Sequence, residues 1–191
     1  MEINESYKEK GTVAIVKEIY KQNPKVPSVT LQQFFTESSC KKLQKVILNA
    51  KKELKIDYIH HKYKECASPK ELESFLKDKE FIKLLHKITG KTYKIVSSSA
   101  KMLAWKDYTL IHDKYLEKPG LDIIIDLTDD WDYQNGGAVI YVDGTGDYVP
   151  VTAERNSLTI VKRKPTVHKF IKYLNNKTCG KERILIIGTA I

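Results

Sequence analysis

The feature that most limits what this chain can become is a change of period at Gly90. Before it, apolar residues recur every three or four positions: Leu43, Val46, Ile47, Ala50 and Leu54, then Leu72, Phe75 and Leu76, then Phe81, Leu84, Leu85 and Ile88. That spacing predicts amphipathic helices. The first runs from about Ser38 or Ser39 to Leu54. Another starts at Ser68-Pro69-Lys70-Glu71, where Ser68 can cap, Pro69 suits the first helical position and Glu71 completes a capping box. Gly90 is a natural stop. Further upstream, residues 10–20 read as a short helix or strand, broken by Asn23-Pro24 and Val26-Pro27. Ser28–Phe35 reads as a strand leading into a helix.

After Gly90 the texture is that of short strands between turns. Ile123, Ile125 and Leu127 alternate with Asp122 and Asp126, which predicts a half-buried strand. Tyr108–His112, Ala138–Val142, Ser157–Lys162, Thr166–Tyr173 and Glu182–Ile187 are further strand candidates. Asn135-Gly136-Gly137 and Asp143-Gly144-Thr145-Gly146-Asp147 supply turns. Many short strands with frequent turns suit a sandwich, jelly roll or barrel. Helices first and strands second is an α+β order. At 191 residues the chain has the size of one domain. Residues 1–90 are expected to be mainly helical support and 91–191 the strand half.

Charge is segregated. Residues 1–100 hold 20 lysines against 12 acids, Asp107–Glu154 holds 2 lysines against 11 acids, and residues 155–191 hold 9 bases against 1 acid. A basic N-terminal half fits an acidic partner such as RNA, or simply a solvated lysine-rich helix surface. No apolar run reaches the length of a membrane span, and the polar start carries no secretory signal. Cys40, Cys66 and Cys179 are scattered, which fits reduced thiols and a cytoplasmic protein. The acidic loops at Asp129-Asp130-Trp131-Asp132 and Asp143–Asp147 lack the ligand order of a calcium loop. His60-His61 has no partner at a metal-binding interval, so surface histidines are expected.

Two histidines fall on strand candidates, His112 and His168, and Arg183 opens the last strand. In order and spacing these residues resemble the Fe(II)- and 2-oxoglutarate-dependent dioxygenases, in the prolyl-hydroxylase-like branch, close to the ribosomal prolyl hydroxylases. The likeness extends to Asn135-Gly136-Gly137-Ala138-Val139, Glu154-Arg155-Asn156-Ser157-Leu158 and, upstream, the helical stretch Leu72–Gly90. It implies a double-stranded β-helix, or jelly roll, with N-terminal supporting helices. It also implies iron on His112 and His168, Arg183 as the anchor of the far carboxylate of 2-oxoglutarate, and Tyr108 as a hydroxyl touching the cosubstrate. Fe(II), 2-oxoglutarate and ascorbate are the cofactors implied, and hydroxylation of a protein side chain such as proline is the activity.

The family's third ligand lies two residues after the first histidine, and here that residue is Lys114; Asp113 stands between. Leu185 likewise replaces the Ser or Thr usual two residues after the arginine. Three outcomes stay open. Asp113 reaches the metal; the two histidines bind it alone; or Lys114 fills the site, leaving a degenerate barrel that binds RNA or a ribosomal component without oxidising anything.

Overall fold

A computed structural model describes residues 1–57, 59–111 and 118–191. His112, Asp113 and Lys114 therefore lie outside the described residues.

Helix α1 spans Lys10–Lys21 and strand β1 Ser28–Leu31. Helix α2 spans Glu37–Asn49, with the Thr36 hydroxyl accepting from the Ser39 N–H. It ends before Leu54, which instead sits in strand β2, Glu53–Asp57. Strand β3 is His61–Ala67. Helices α3 and α4 span Lys70–Leu76 and Lys79–Thr89. Asp78 caps α4, and Gly90 closes it in the left-handed region at φ 74°, the stop expected of a glycine there.

Strand β4 follows at Ile95–Leu103 and β5 at Tyr108–Thr109. Then come β6 Gly120–Asp126, β7 Val139–Val142, β8 Tyr148–Val151, β9 Ser157–Arg163, β10 His168–Ile171 and β11 Arg183–Ala190.

The strands form two walls. The larger runs β1-β9-β6-β11-β4-β3-β2, with β5 also on β3. The smaller is β10-β7-β8, and β5 lies beside β10, where the Thr109 hydroxyl accepts from the Ile171 N–H at 2.7 Å. Strands β4 to β11 thus cross between the walls as a jelly roll does, and every named pairing is antiparallel. The N-terminal half is not purely helical: β1 extends the larger wall at one edge, and β2 and β3 extend it at the other.

The centre of the larger wall, β9-β6-β11, is buried on both faces. Its outer face, with Leu121, Ile123, Ile125, Leu158, Ile160, Ile184 and Ile186, joins the core formed with Val13, Val16, Leu72, Leu76, Leu85 and Ile88 of the helices. Its inner face, with Leu103, Ile124, Val161, Leu185 and Ile187, packs on Val139, Tyr141, Val151 and Ile171 of the smaller wall. Strand β6 is accordingly not half-buried as its alternation predicts. Asp122 and Asp126 lie on the same side as Ile124 and are 0% and 1% exposed. They point into the barrel, and each must be paired there.

Candidate functional site

The two aspartates mark the two ends of the barrel. They are four residues apart on one strand face, or about 13 Å at the usual rise.

At the closed end, Asp126 holds Arg183. The guanidinium donates to Asp126 Oδ2 from Nε at 3.0 Å and from a terminal nitrogen at 2.7 Å. It also donates to the Gly137 and Val151 carbonyls. Arg183 is 0% exposed. The Gly136-Gly137 turn makes this clamp possible. Gly136 has φ 82°, and a Cβ there would come within 2.2 Å of the Tyr173 carbonyl oxygen, so a side chain would push the turn off the arginine.

At the other end the walls part around a cavity of about 460 Å³. Asp122 lies buried behind two of the cavity's lining residues, Arg163 and Lys169. Its carboxylate accepts from the Tyr141 hydroxyl at 2.7 Å and from Lys169 Nζ at 2.9 Å, and pairs with Arg163 Nε at 3.0 Å. Arg163 also donates to the Ala190 carbonyl at 3.2 Å. Lys101, farther round, donates to Glu65 at 2.8 Å and sits 3.8 Å from the Tyr63 ring centre. Burial pushes the Glu65 carboxyl up, but hydrogen bonds from Lys101 and Ser99 outweigh it and hold the group below its ordinary value. Arg163, Lys169, Lys101, His60, His61 and His168 border the cavity together with apolar and hydroxyl side chains, and none of the described lining residues is acidic.

Register decides which residues look inward. Lys169 is opposite Tyr141 and Ile171 opposite Val139, all on the inner face. His168, opposite Val142, is on the other face of β10 and touches the cavity only at the rim where the strand begins. The inward position at this point of the barrel is thus a lysine. Tyr108 is similarly displaced: Thr109 borders the cavity, while the Tyr108 ring lies 6.5 Å from that of Tyr173. Arg183 points inward but at the closed end. Leu185 and Ile187 lie on its strand face between it and the mouth, and its donors are engaged by Asp126, Gly137 and Val151. The cavity therefore does not draw together His168, Tyr108 and Arg183. It brings in Arg163, Lys169 and Lys101, and His60 and His61 prove to be cavity residues as well as half-exposed ones.

The described residues do not by themselves fit an Fe(II) centre. No group of three His, Cys, Asp or Glu side chains comes together among them. The Asp122 carboxylate beside the cavity is already shared by an ammonium and a guanidinium, and these cations repel a dication. What the arrangement can do is hold an anion: a planar guanidinium and an ammonium meet at one buried point.

The comparisons agree with the architecture. Residues 59–188 match the family described as oxoglutarate and iron-dependent oxygenase degradation C-term. The chain is 32% identical over 92 residues to the prolyl 3-hydroxylase OGFOD1 of Xenopus laevis, a match that covers 44% of this chain and 18% of that protein. Its fold is similar to a 2OG-Fe(II) oxygenase family oxidoreductase from Burkholderia pseudomallei (TM-score 0.73, 10% identity, 95% of this chain and 92% of the other). It is also similar to a prolyl hydroxylase from Trichoplax adhaerens solved with a hypoxia inducible factor peptide fragment (TM-score 0.70, 12% identity, 97% and 95%). With a jelly-roll fold and more than half of its residues matched, the chain belongs to the oxoglutarate and iron-dependent oxygenase degradation C-terminal family.

Proposed function

We propose that this chain acts in the 2-oxoglutarate- and iron-dependent hydroxylation of a protein prolyl side chain. The observation that carries the reading is the coincidence of the family match, residues 59–188, with a jelly roll whose one open end is lined by cations. The relative named a prolyl 3-hydroxylase and the peptide-bound prolyl hydroxylase of like fold support a protein as the partner.

In this reading Arg163 and Lys169 hold a carboxylate of 2-oxoglutarate at the mouth, beside the carboxylate of Asp122 that they already grip. Val167 and Ile187 cover its methylenes, and Leu110, Ile111 and Pro165 give the rim an apolar surface for a prolyl ring. Iron ligation rests on His112 and Asp113, and ascorbate and a cytoplasmic setting belong to the same reading. The test is succinate production from 2-oxoglutarate with Fe(II), ascorbate and a proline-rich synthetic peptide, after anaerobic purification. Succinate above a chelated control is expected, and its absence under conditions where 2-oxoglutarate binds by calorimetry would overturn the reading.

A second reading has its own observation: the inward side chain on β10 is Lys169, and His168 lies on the opposite face. A barrel built that way captures an anion and leaves it unoxidised. RNA or a ribosomal component is the partner this reading names, given the lysine-rich N-terminal half. Salt-dependent association that ignores chelator would favour it.

A further inference from the structure

Strand β2 ends the larger wall, and among the described residues no strand pairs with its outer edge. It holds no proline, pairs with β3 in unbroken register, and exposes Leu54 at 57% and Ile56 at 40%. An edge of that kind is open to another strand. The turn after it fixes which groups face out. The Asp57 carbonyl accepts from the His60 N–H, so Asp57 turns its backbone groups toward β3, where it is opposite His61. In an antiparallel ladder the N–H and C=O of one residue point the same way, and the direction alternates along the strand. Lys55 and Glu53 therefore also face β3, and Leu54 and Ile56 offer their N–H and C=O outward.

The side chains decide what can pair there. Lys51, Glu53, Lys55 and Asp57 alternate in sign along one face, starting in the lead-in where Ala50 is already extended. The series is antisymmetric about Leu54. A second copy running antiparallel, with a two-fold axis at Leu54, sets Glu53 against Lys55 and Lys51 against Asp57, so every charge on that face meets its opposite. No existing pair is broken: Lys55 keeps its own Glu53, 2.8 Å away, and gains the Glu53 of the second copy. On the other face Leu54 meets Leu54. Ile56 meets the methylene stem of Lys52, whose ammonium donates to the Leu48 and Ala50 carbonyls. The outward backbone groups match in the same register, Leu54 with Leu54 and Ile56 with Lys52. Other registers do worse. Centred on Glu53 or Lys55, the pairing sets like charges directly opposite. Centred on Ile56, it keeps only the Lys55–Asp57 pairs and runs past the end of the strand at Asp57. Registers one residue off set outward groups against groups already bonded to β3.

We propose that β2 is a self-pairing edge: two copies of this chain join antiparallel across a two-fold axis at Leu54, and their larger walls become one continuous sheet. A pairing this short buries less than a standard interface, so the dimer is concentration-dependent. The proposal is independent of the hydroxylase reading.

Sedimentation velocity of the full chain over a dilution series tests it, and a monomer–dimer equilibrium is expected. Leu54→Pro should abolish that equilibrium with an unchanged circular dichroism spectrum, because the lost N–H points away from β3. Lys55→Glu should weaken association about tenfold, since it sets like charges opposite on both sides of the axis. Combining it with Glu53→Lys should restore association, since the series is again antisymmetric about Leu54. Register is read by oxidation in a Cys179→Ser background, which removes the exposed cysteine. Leu54→Cys should then give a covalent dimer, its two Cα atoms being about 5.5 Å apart, whereas Lys55→Cys should not. A monomer at every concentration would overturn the proposal. So would a dimer that survives Leu54→Pro, or one that the double charge variant fails to restore.

Discussion

Single residues inside the barrel carry unequal weight, and burial decides which matter. Asp126 is 1% exposed and pairs with an Arg183 that is 0% exposed. Removing its charge strands a guanidinium in a dry interior, so Asp126→Asn should destabilise the fold by about 3–5 kcal/mol in urea unfolding. The Glu37–Arg155 pair has comparable distances, 2.7 and 2.9 Å, but Glu37 is solvated; Glu37→Gln should leave the unfolding midpoint unchanged within error. Glu65 gives a pH signature. Its folded-state carboxyl is held below the ordinary value by Lys101 and Ser99, so the unfolded chain binds the proton more readily. The stability it contributes is full above the ordinary glutamate range, about pH 4.3, and is lost as pH falls below it. Unfolding free energies at pH 5, 4 and 3 should therefore fall less steeply in Glu65→Gln than in the parent. A parallel fall in both would show that the Lys101 pair contributes nothing.

Among the elements, the helices were the more legible. Leu72, Leu76, Phe81, Leu84, Leu85 and Ile88 all became core because helical spacing has one solution once a sheet is there to cover. The strands that escaped reading are β2, β3, β4 and β8. In β3 and β4 buried residues are interrupted by Lys62, Lys64, Glu65 and Lys101, whose charges are met across the sheet or at the mouth by Asp107, Glu182 and one another. No local pattern announces a pairing made with a distant strand. The same blindness moved the site. Reading outward from histidines pointed to His168, whereas the register of β10 against β7 turns Lys169 inward. The signal that could have found it was Asp122, an acid in the apolar run Gly120–Asp126, which required a buried cation as partner. The turn before β7 is the element most sensitive to one added carbon. Gly136→Ala should cost about 1–3 kcal/mol or more, because φ 82° combines with a 2.2 Å approach to the Tyr173 carbonyl. Gly146, at φ 90° but with nothing within 4 Å, should tolerate alanine better. Thermal unfolding of the two variants side by side checks the ranking.

For the whole molecule, the charge segregation along the sequence is largely undone by folding. The acidic middle segment meets bases from both sides: Asp122 with Arg163 and Lys169, Asp126 with Arg183, Asp129 with Arg155, Asp130 with Lys181, and Asp147 with Lys25. The two halves are tied by apolar contact as well. The outer face of the larger wall has the helices as its cover, and β1 adds to β9 through Val29 and Leu31, both buried. A piece comprising residues 91–191 would keep the barrel's inner core but expose Leu121, Ile123, Ile125, Leu158, Ile160, Ile184 and Ile186 in one sheet face, far more apolar surface than a soluble monomer tolerates. We therefore expect the piece alone to aggregate or to bind a hydrophobic dye without fixed tertiary signal. The intact chain should unfold in one step, with circular dichroism and the fluorescence of Trp105 and Trp131 changing together. Two separated transitions, or a soluble and cooperatively folded 91–191, would show that the helical half is an accessory and that its contact with the larger wall is dispensable.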